Sequence, residues 1–401
     1  MARVLFGSEL GGGLGHVTRL LPIARKLVAS GHECVFAIRD VIVVDPLLRA
    51  GQVRVVQAPH ANWPASVRVP PTRSYTDLLA HNGFDDPARL GPVVAAWGDL
   101  IELLDADLVI ADHSPALCVT LYGGEVPLIL IGDGFTLPPP SAPELPDLPG
   151  LRSDRSSHEM LRVVEAVQLG RGRACPPTLS ALFSGKHTFV VTLPELDFYA
   201  EHRGTEAVGP LEPSLQPVPR NPAKSWFAYL SLANSVTEPI LRALVQSRST
   251  GALYLRDATP AQLQGLRSHG LVVYDRPQPL ARAIAAASTV IHHGGLGFMQ
   301  AALCVGRPQL LAPAHLEQRL NCISIGKLGV GLAMAPRFKS EDVAAAIERA
   351  LNDEKLQERA DEVAASIARR ESPDGLKHVL EVCGSLLATR HRSGQKPRRR
   401  L

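Results

Sequence analysis

The stretch Asp275–Asn321, DRPQPLARAIAAASTVIHHGGLGFMQAALCVGRPQLLAPAHLEQRLN, decides the fold. An apolar segment of helical period leads into a short β-branched run, Thr289-Val290-Ile291. His292-His293-Gly294-Gly295-Leu296-Gly297 follows, and then a second helical run. That is a strand, a glycine-rich turn and a helix start. Glycines let the backbone approach a phosphate closely, and the N–H groups that open a helix aim at it. The turn therefore reads as a holder for the diphosphate of a nucleotide, with a histidine at its mouth.

Working outward, the same alternation recurs at the N-terminus. Arg3–Phe6 is a short apolar strand, and a second glycine-rich turn, Gly7 to His16, comes next. Val17, Leu20, Leu21, Ala24, Leu27 and Val28 then repeat at helical spacing, with Pro22 early in the helix and Gly31 after it. Cys34–Ile38 is the next strand, so the unit predicts a parallel sheet with a right-handed crossover. The turn is not a dinucleotide fingerprint, because His16 occupies the third glycine position. It is not a P-loop, because no lysine follows.

Residues 58–98 are rich in proline and carry Trp63, Tyr75, Phe84 and Trp97. A helix is predicted over Val93–Leu104 and a strand over Asp107–Ala111, ending in Asp112-His113-Ser114-Pro115. Ligands in open parallel sheets sit outside the carboxyl ends of strands. His16 and Asp112 each follow such an end, so the two are expected to meet. A carboxylate on one ring nitrogen fixes the tautomer and makes the other nitrogen more basic. The plainer alternatives are a helix-capping histidine and an N-cap aspartate for the helix at Pro115. Asp105-Ala106-Asp107 precedes its strand and reads as a solvated turn.

Residues 204–224, GTEAVGPLEPSLQPVPRNPAK, lack periodicity and read as a linker. The alternation restarts at Trp226. The organisation predicted is an N-terminal domain over 1–204, a linker over 205–224, a C-terminal domain over 225–388 and a basic tail over 389–401. Both domains are Rossmann-like and doubly wound, and they face each other across a cleft. One carries a His/Asp pair and the other a phosphate turn, which fits group transfer from an activated nucleotide.

Composition narrows the function classes. The 401 residues exceed one ordinary core, and a net charge of +3 argues against a dedicated nucleic-acid binder. The six cysteines form no C-x-x-C pair, so neither zinc nor a disulfide framework is indicated, and reduced thiols fit the cytoplasm. No signal peptide opens the chain, and no apolar run spans a bilayer. The basic tail reads as solvated, its sharper alternative being weak attraction to an anionic membrane surface.

On these residues the chain resembles the family 1 glycosyltransferases of GT-B fold, in the bacterial branch acting on small lipophilic acceptors. Pro277-Gln278 matches the family's Pro-Gln. His293-Gly294-Gly295 matches its His-Gly-Gly, which contacts the donor diphosphate together with the turn to Gly297. Glu317-Gln318 matches the acid–Gln pair that binds sugar hydroxyls, and Asn321 the Asn that follows. Gly15-His16 resembles the Gly-His whose histidine is the general base, and Asp112 falls at its aspartate partner. The loop after the first C-domain strand, glycine-containing in the family, reads Ser231-Leu232-Ala233-Asn234; Ser231 and Asn234 are its donor-side candidates. Other departures are Asp275 for a base-stacking Trp, Ala301 for a ribose-binding Glu, and Phe298 for a phosphate-binding Thr or Ser.

The resemblance implies an inverting, metal-free transfer from a nucleotide-diphosphate sugar of UDP or dTDP type, with no cofactor, to a hydroxyl of a small lipophilic acceptor. Trp63, Tyr75, Phe84 and Phe135 are the acceptor-pocket candidates. A non-catalytic glycosyltransferase-like binding protein is the alternative, and a nucleotide-sugar epimerase the next.

Overall fold

A computed structural model describes the chain except for residues 12–13, 52, 63–71, 146–154, 205, 213–214, 221–222, 248, 336–337, 371–373 and 393–401. It forms two compact units, Met1–Glu212 with Ser372–Leu401, and Pro213–Glu371.

The first unit runs β1 (Arg3–Ser8), α1 (Gly15–Ala29), β2 (Glu33–Ile38), α2 (Val41–Ala50), β3 (Arg54–Gln57), α3 (Tyr75–Leu79), α4 (Pro87–Leu104), β4 (Leu108–Ala111), α5 (Pro115–Leu121), β5 (Leu128–Gly132), α6 (Ser157–Gly170) and β6 (His187–Val190). Its strands pair in the order β3-β2-β1-β4-β5-β6, all parallel. The central strands β4 and β5 are buried throughout, which is why they read as unbroken apolar runs. The strand order reverses between β1 and β4, and ligands of such sheets bind beyond the carboxyl ends of the strands at a reversal of this kind.

The second unit repeats the plan with β7 (Ser225–Ser231), α7 (Thr237–Gln246), β8 (Thr250–Arg256), α8 (Pro260–Ser268), β9 (Val272–Tyr274), α9 (Leu280–Ala285), β10 (Thr289–His292), α10 (Leu296–Val305), β11 (Gln309–Leu311), α11 (Leu316–Leu328), β12 (Gly331–Ala333), α12 (Ser340–Asn352) and α13 (Glu354–Arg369). Its sheet order is β12-β11-β10-β7-β8-β9, with the reversal between β10 and β7. One face packs under Trp226, Leu230, Ile291 and Ile347, the other under Phe227, Val290, Phe298 and Ala302.

Several expectations need correction. The last helix, α14 (Gly375–Arg392), does not extend the C-terminal domain: it packs on α1 and sends Val379, Cys383 and Leu387 into the first core. Its apolar stripe was legible, but the core that accepts it was not. Two basic residues of the expected tail, Arg390 and Arg392, end this helix, and residues 393–401 lie outside the described residues. The linker divides at Glu212. Before that point Leu211 joins the first core; beyond it, the fully buried Arg307 donates to the carbonyls of Val218 (2.9 Å) and Pro219 (3.1 Å). Pro22 sits inside α1, so the helix forgoes a bond to the Thr18 carbonyl. Periodicity does not reveal α2, whose β-branched start is helical because Asp40 caps it through the Val43 amide.

Candidate active site

In the first unit, the end of β1 and the start of α1 bring His16 to the reversal point, and the end of β4 brings Asp112. His16 Nδ1 lies 3.0 Å from Asp112 Oδ2. A carboxylate can only accept, so Nδ1 carries the hydrogen, and in the neutral ring Nε2 keeps its lone pair. Asp112 is fully buried. Gly11, at φ +86°, faces the other side of the imidazole: a Cβ there would stand 2.2 Å from Nε2. Any side chain at this position would collide with that nitrogen.

A third group joins the pair. Arg19, one helical turn after His16, donates from Nη1 to both Asp112 oxygens at 3.1 and 2.9 Å, and from Nη2 to Asp133 at 2.7 Å. Burial raises the Asp133 carboxyl, but Arg19 and the Thr136 amide outweigh it and hold the group below its ordinary range. Asp133 Oδ1 also takes the amides of Phe135 and Thr136, fixing the loop after β5. Sequence reasoning missed Arg19; its signal was the three-residue spacing from His16, which places both on one helix face.

Behind the pair, Glu9 is buried, with no ion pair among the described residues. It accepts from Trp97 Nε1 (3.0 Å) and from the amides of Ala116 (2.9 Å) and Leu117 (3.2 Å), which ties β1 to α5. Burial pushes its carboxyl up to about 7 against those hydrogen bonds.

In the second unit, His293 follows β10. Its Nδ1 lies 2.9 Å from the Ala312 carbonyl, so Nδ1 is the donor, and Nε2 accepts the Ser231 amide at 3.1 Å. The ring is neutral, and burial holds it below the ordinary histidine range. His292 locks the turn from beneath: its Nδ1 accepts the Gly294 amide (3.0 Å) and its Nε2 donates to Gln309 (2.9 Å). Burial pushes this ring down to about 3. Gly294 has φ +89°, and Asn321 donates to its carbonyl at 2.8 Å. Gly295 caps α10, and Gly297 lies in its first turn; both are exposed, and nothing stands within 4 Å of a Cβ on either. The open surface of the turn is therefore made of backbone N–H groups rather than of the histidine.

The donor-side candidates are thus divided. Ser231, His293, Gly294, Gly295, Gly297, Gln318 and Asn321 are brought together, but several face inward. Buried Asn321 supports the turn, and Gln318 Oε1 accepts the Ala314 amide at 2.8 Å. Ser231 donates its hydroxyl to Asp257 (2.6 Å), and Asn234 forms a backbone turn with Ser231. Glu317 is half-buried in the first turn of α11. Gln278 is elsewhere: it donates to the Arg276 carbonyl and borders a cavity of about 470 Å³ walled by Trp226, Gly251, Tyr274 and Arg282. Phe298 does not face a phosphate; it stacks on Phe227 and Tyr229 in the core. Asp275 pairs with Arg267 at 2.6 Å.

Of the acceptor-pocket candidates, Tyr75 and Phe135 meet edge to face at 5.5 Å, and both lie against His113. Phe84 is buried without joining that cluster, and Trp63 lies outside the described residues.

Residues 273–383 match the family model described as erythromycin biosynthesis protein CIII-like, C-terminal domain. Tylactone mycaminosyltransferase of Streptomyces fradiae is 30% identical over 118 residues, 29% of this chain and 25% of that protein. Glycosyltransferase GtfE of Amycolatopsis orientalis is 31% identical over 134 residues, 28% of this chain and 32% of that one. The chain thus spans a quarter to a third of the length of these two curated relatives. Among solved structures, the calicheamicin glycosyltransferase CalG4 superposes with a TM-score of 0.68 at 18% identity, covering 96% of this chain and 98% of that one. Spinosyn rhamnosyltransferase SpnG, complexed with thymidine diphosphate, does so at 0.65 and 16% identity, covering 95% and 100%. The chain thus has the GT-B fold seen in CalG4, and residues 273–383 are of the erythromycin biosynthesis protein CIII-like C-terminal type.

Proposed function

We propose that the protein is an inverting, metal-independent glycosyltransferase that moves a sugar from a nucleotide diphosphate to a hydroxyl of a natural-product acceptor. The observation that carries this reading is the His16–Asp112 pair at 3.0 Å, placed at the reversal point of the first sheet. His16 Nε2 takes the acceptor proton, the oxygen attacks the anomeric carbon, and the nucleoside diphosphate leaves. Buried Asp112 stabilises the histidinium. The amides opening α10 receive the charge of the leaving diphosphate, as helix N-termini do for phosphates. His293 then acts as the strut between Ser231 and Ala312 that holds those amides in place. Thymidine diphosphate is the donor nucleotide to test first, since it is the one bound to SpnG.

The test is a donor screen. Purified protein is given dTDP- and UDP-sugars, and thermal shift and product formation with phenolic and lipidic acceptors are followed. No binding to any donor sinks the reading. His16→Ala is expected to abolish transfer and leave donor binding within about twofold, since the histidine acts on the acceptor alone. Transfer surviving that change overturns the general-base assignment.

A further inference from the structure

Beside the pair lies a side chain that the fold does not satisfy. His113 follows Asp112 directly and is 6% exposed, yet among the described residues neither ring nitrogen has a hydrogen-bond partner. A buried polar group left unpaired is costly, because it gives up its bonds to water and gains none in return. Its backbone stands at φ +50°, in the left-handed region, which adds a second cost at the same residue. The backbone itself is held, since the His113 carbonyl accepts the Leu10 amide at 3.1 Å.

The surroundings give the ring a direction. Its centroid is 5.6 Å from that of His16, 6.2 Å from Tyr75 and 6.0 Å from Phe135. Tyr75 is itself occupied, its hydroxyl donating to the Thr136 carbonyl. Three rings thus wall His113, and His16 is the most open of them, its side chain 14% exposed against 1% for Tyr75 and 3% for Phe135. Burial first, and the nearby His16 second, push the His113 ring down to about 3, so it is neutral at physiological pH. A neutral imidazole presents one N–H and one lone pair. A hydroxyl can pair with either nitrogen, accepting from the N–H or donating to the lone pair, whereas a carboxylate answers only the N–H.

Resting on the transferase reading, we propose that His113 is an acceptor-recognition residue: its imidazole takes up a hydroxyl of a flat phenolic or alcoholic acceptor held against Tyr75 and Phe135, beside the hydroxyl that His16 deprotonates. One of the unpaired nitrogens is then satisfied in the complex rather than in the free protein. A merely structural histidine predicts the reverse, that an apolar ring at this position improves the protein and changes nothing else.

The experiment compares wild type, His113→Phe and His113→Asn with 1-naphthol and the phenolic anthraquinone alizarin, each by initial rates and by calorimetric titration. Asparagine keeps a donor and an acceptor and tolerates the left-handed backbone. His113→Phe is expected to raise the acceptor KM about 10-fold, as for one lost hydrogen bond, with kcat and donor affinity within about threefold and no fall in melting temperature. His113→Asn is expected to recover most of the KM, and it carries the test if the Phe variant does not fold. Unchanged acceptor KM in both variants overturns the proposal while leaving the transferase reading intact. If wild type transfers no sugar, that reading fails instead, and the titrations decide the site: binding weakened in His113→Phe upholds it, and equal or undetectable binding in wild type and variant overturns it.

Discussion

Arg19 donates from one nitrogen to both oxygens of Asp112 while its other terminal nitrogen holds Asp133. The relationship sets the charge around His16. Two buried carboxylates and one guanidinium sum to a single negative charge, which one histidinium neutralises. Without Arg19, two carboxylates would press on the imidazole and hold it protonated before any substrate arrives. Arg19→Met is therefore expected to move the acid limb of the kcat/KM profile to higher pH. Breaking a buried pair also costs stability, on the order of 3–5 kcal/mol, so Arg19→Lys is the companion variant. Lysine keeps the charge but not the fork that reaches both acids, and an intermediate profile is expected. A pH–rate profile with an unmoved acid limb in both variants would refute the argument.

Gly11 gives a sharper test of the same nitrogen. An added Cβ would sit 2.2 Å from His16 Nε2, and the backbone at φ +86° already disfavours any other residue. Gly11→Ala is expected to lower kcat by about 100-fold, because the ring must turn away from its bond to Asp112. Donor binding, proposed for the turn before α10, should be unchanged. Activity within about threefold of wild type would show that the proton leaves by another route.

Two buried groups in the first unit titrate in opposite senses. Glu9 is raised to about 7, so as pH rises from 4.5 the unfolded chain ionises first and stability falls until about 7. His113 is depressed to about 3, so as pH falls below 6.5 the unfolded chain takes the proton and stability is lost. Between about 4.5 and 6.5 the two slopes, each near 1.4 kcal/mol per pH unit, oppose. Glu9→Gln leaves the histidine slope alone, so urea stability should fall by about 2 kcal/mol more than wild type between pH 6.5 and 5. His113→Phe leaves the Glu9 slope and should gain by a similar amount. Parallel slopes in wild type and both variants would exclude these two groups as the source.

The double α/β plan was legible because strands such as β4 and β5 are covered on both faces and so read as plain apolar runs. His16 and Asp112 were legible for a related reason: each follows a strand end, and topology brings strand ends together. Arg19 and His113 were not singled out, because their meaning lies in partners that only the fold supplies or withholds. The role of α14 was hidden in the same way. A helical stripe says which face is apolar, not which core it enters. Motif position also misleads where helix geometry intervenes, as Phe298 shows.

Phe298 occupies the third position of α10, where the helix turns its side chain onto the sheet, and its ring stacks on Phe227 at 6.0 Å and Tyr229 at 5.7 Å. Its ring is also 4.7 Å from that of His292, the residue that locks the glycine turn. Restoring the family's hydroxyl here should therefore not restore a phosphate contact. Phe298→Thr removes most of a buried aromatic ring and is expected to destabilise the second unit by about 3 kcal/mol or more. The loosened His292 should carry the damage to the turn, so donor affinity falls with stability instead of rising. Thermal unfolding and dTDP titration of the same variant decide the matter. Tighter dTDP binding at nearly unchanged stability would mean that position 298 faces the phosphates after all.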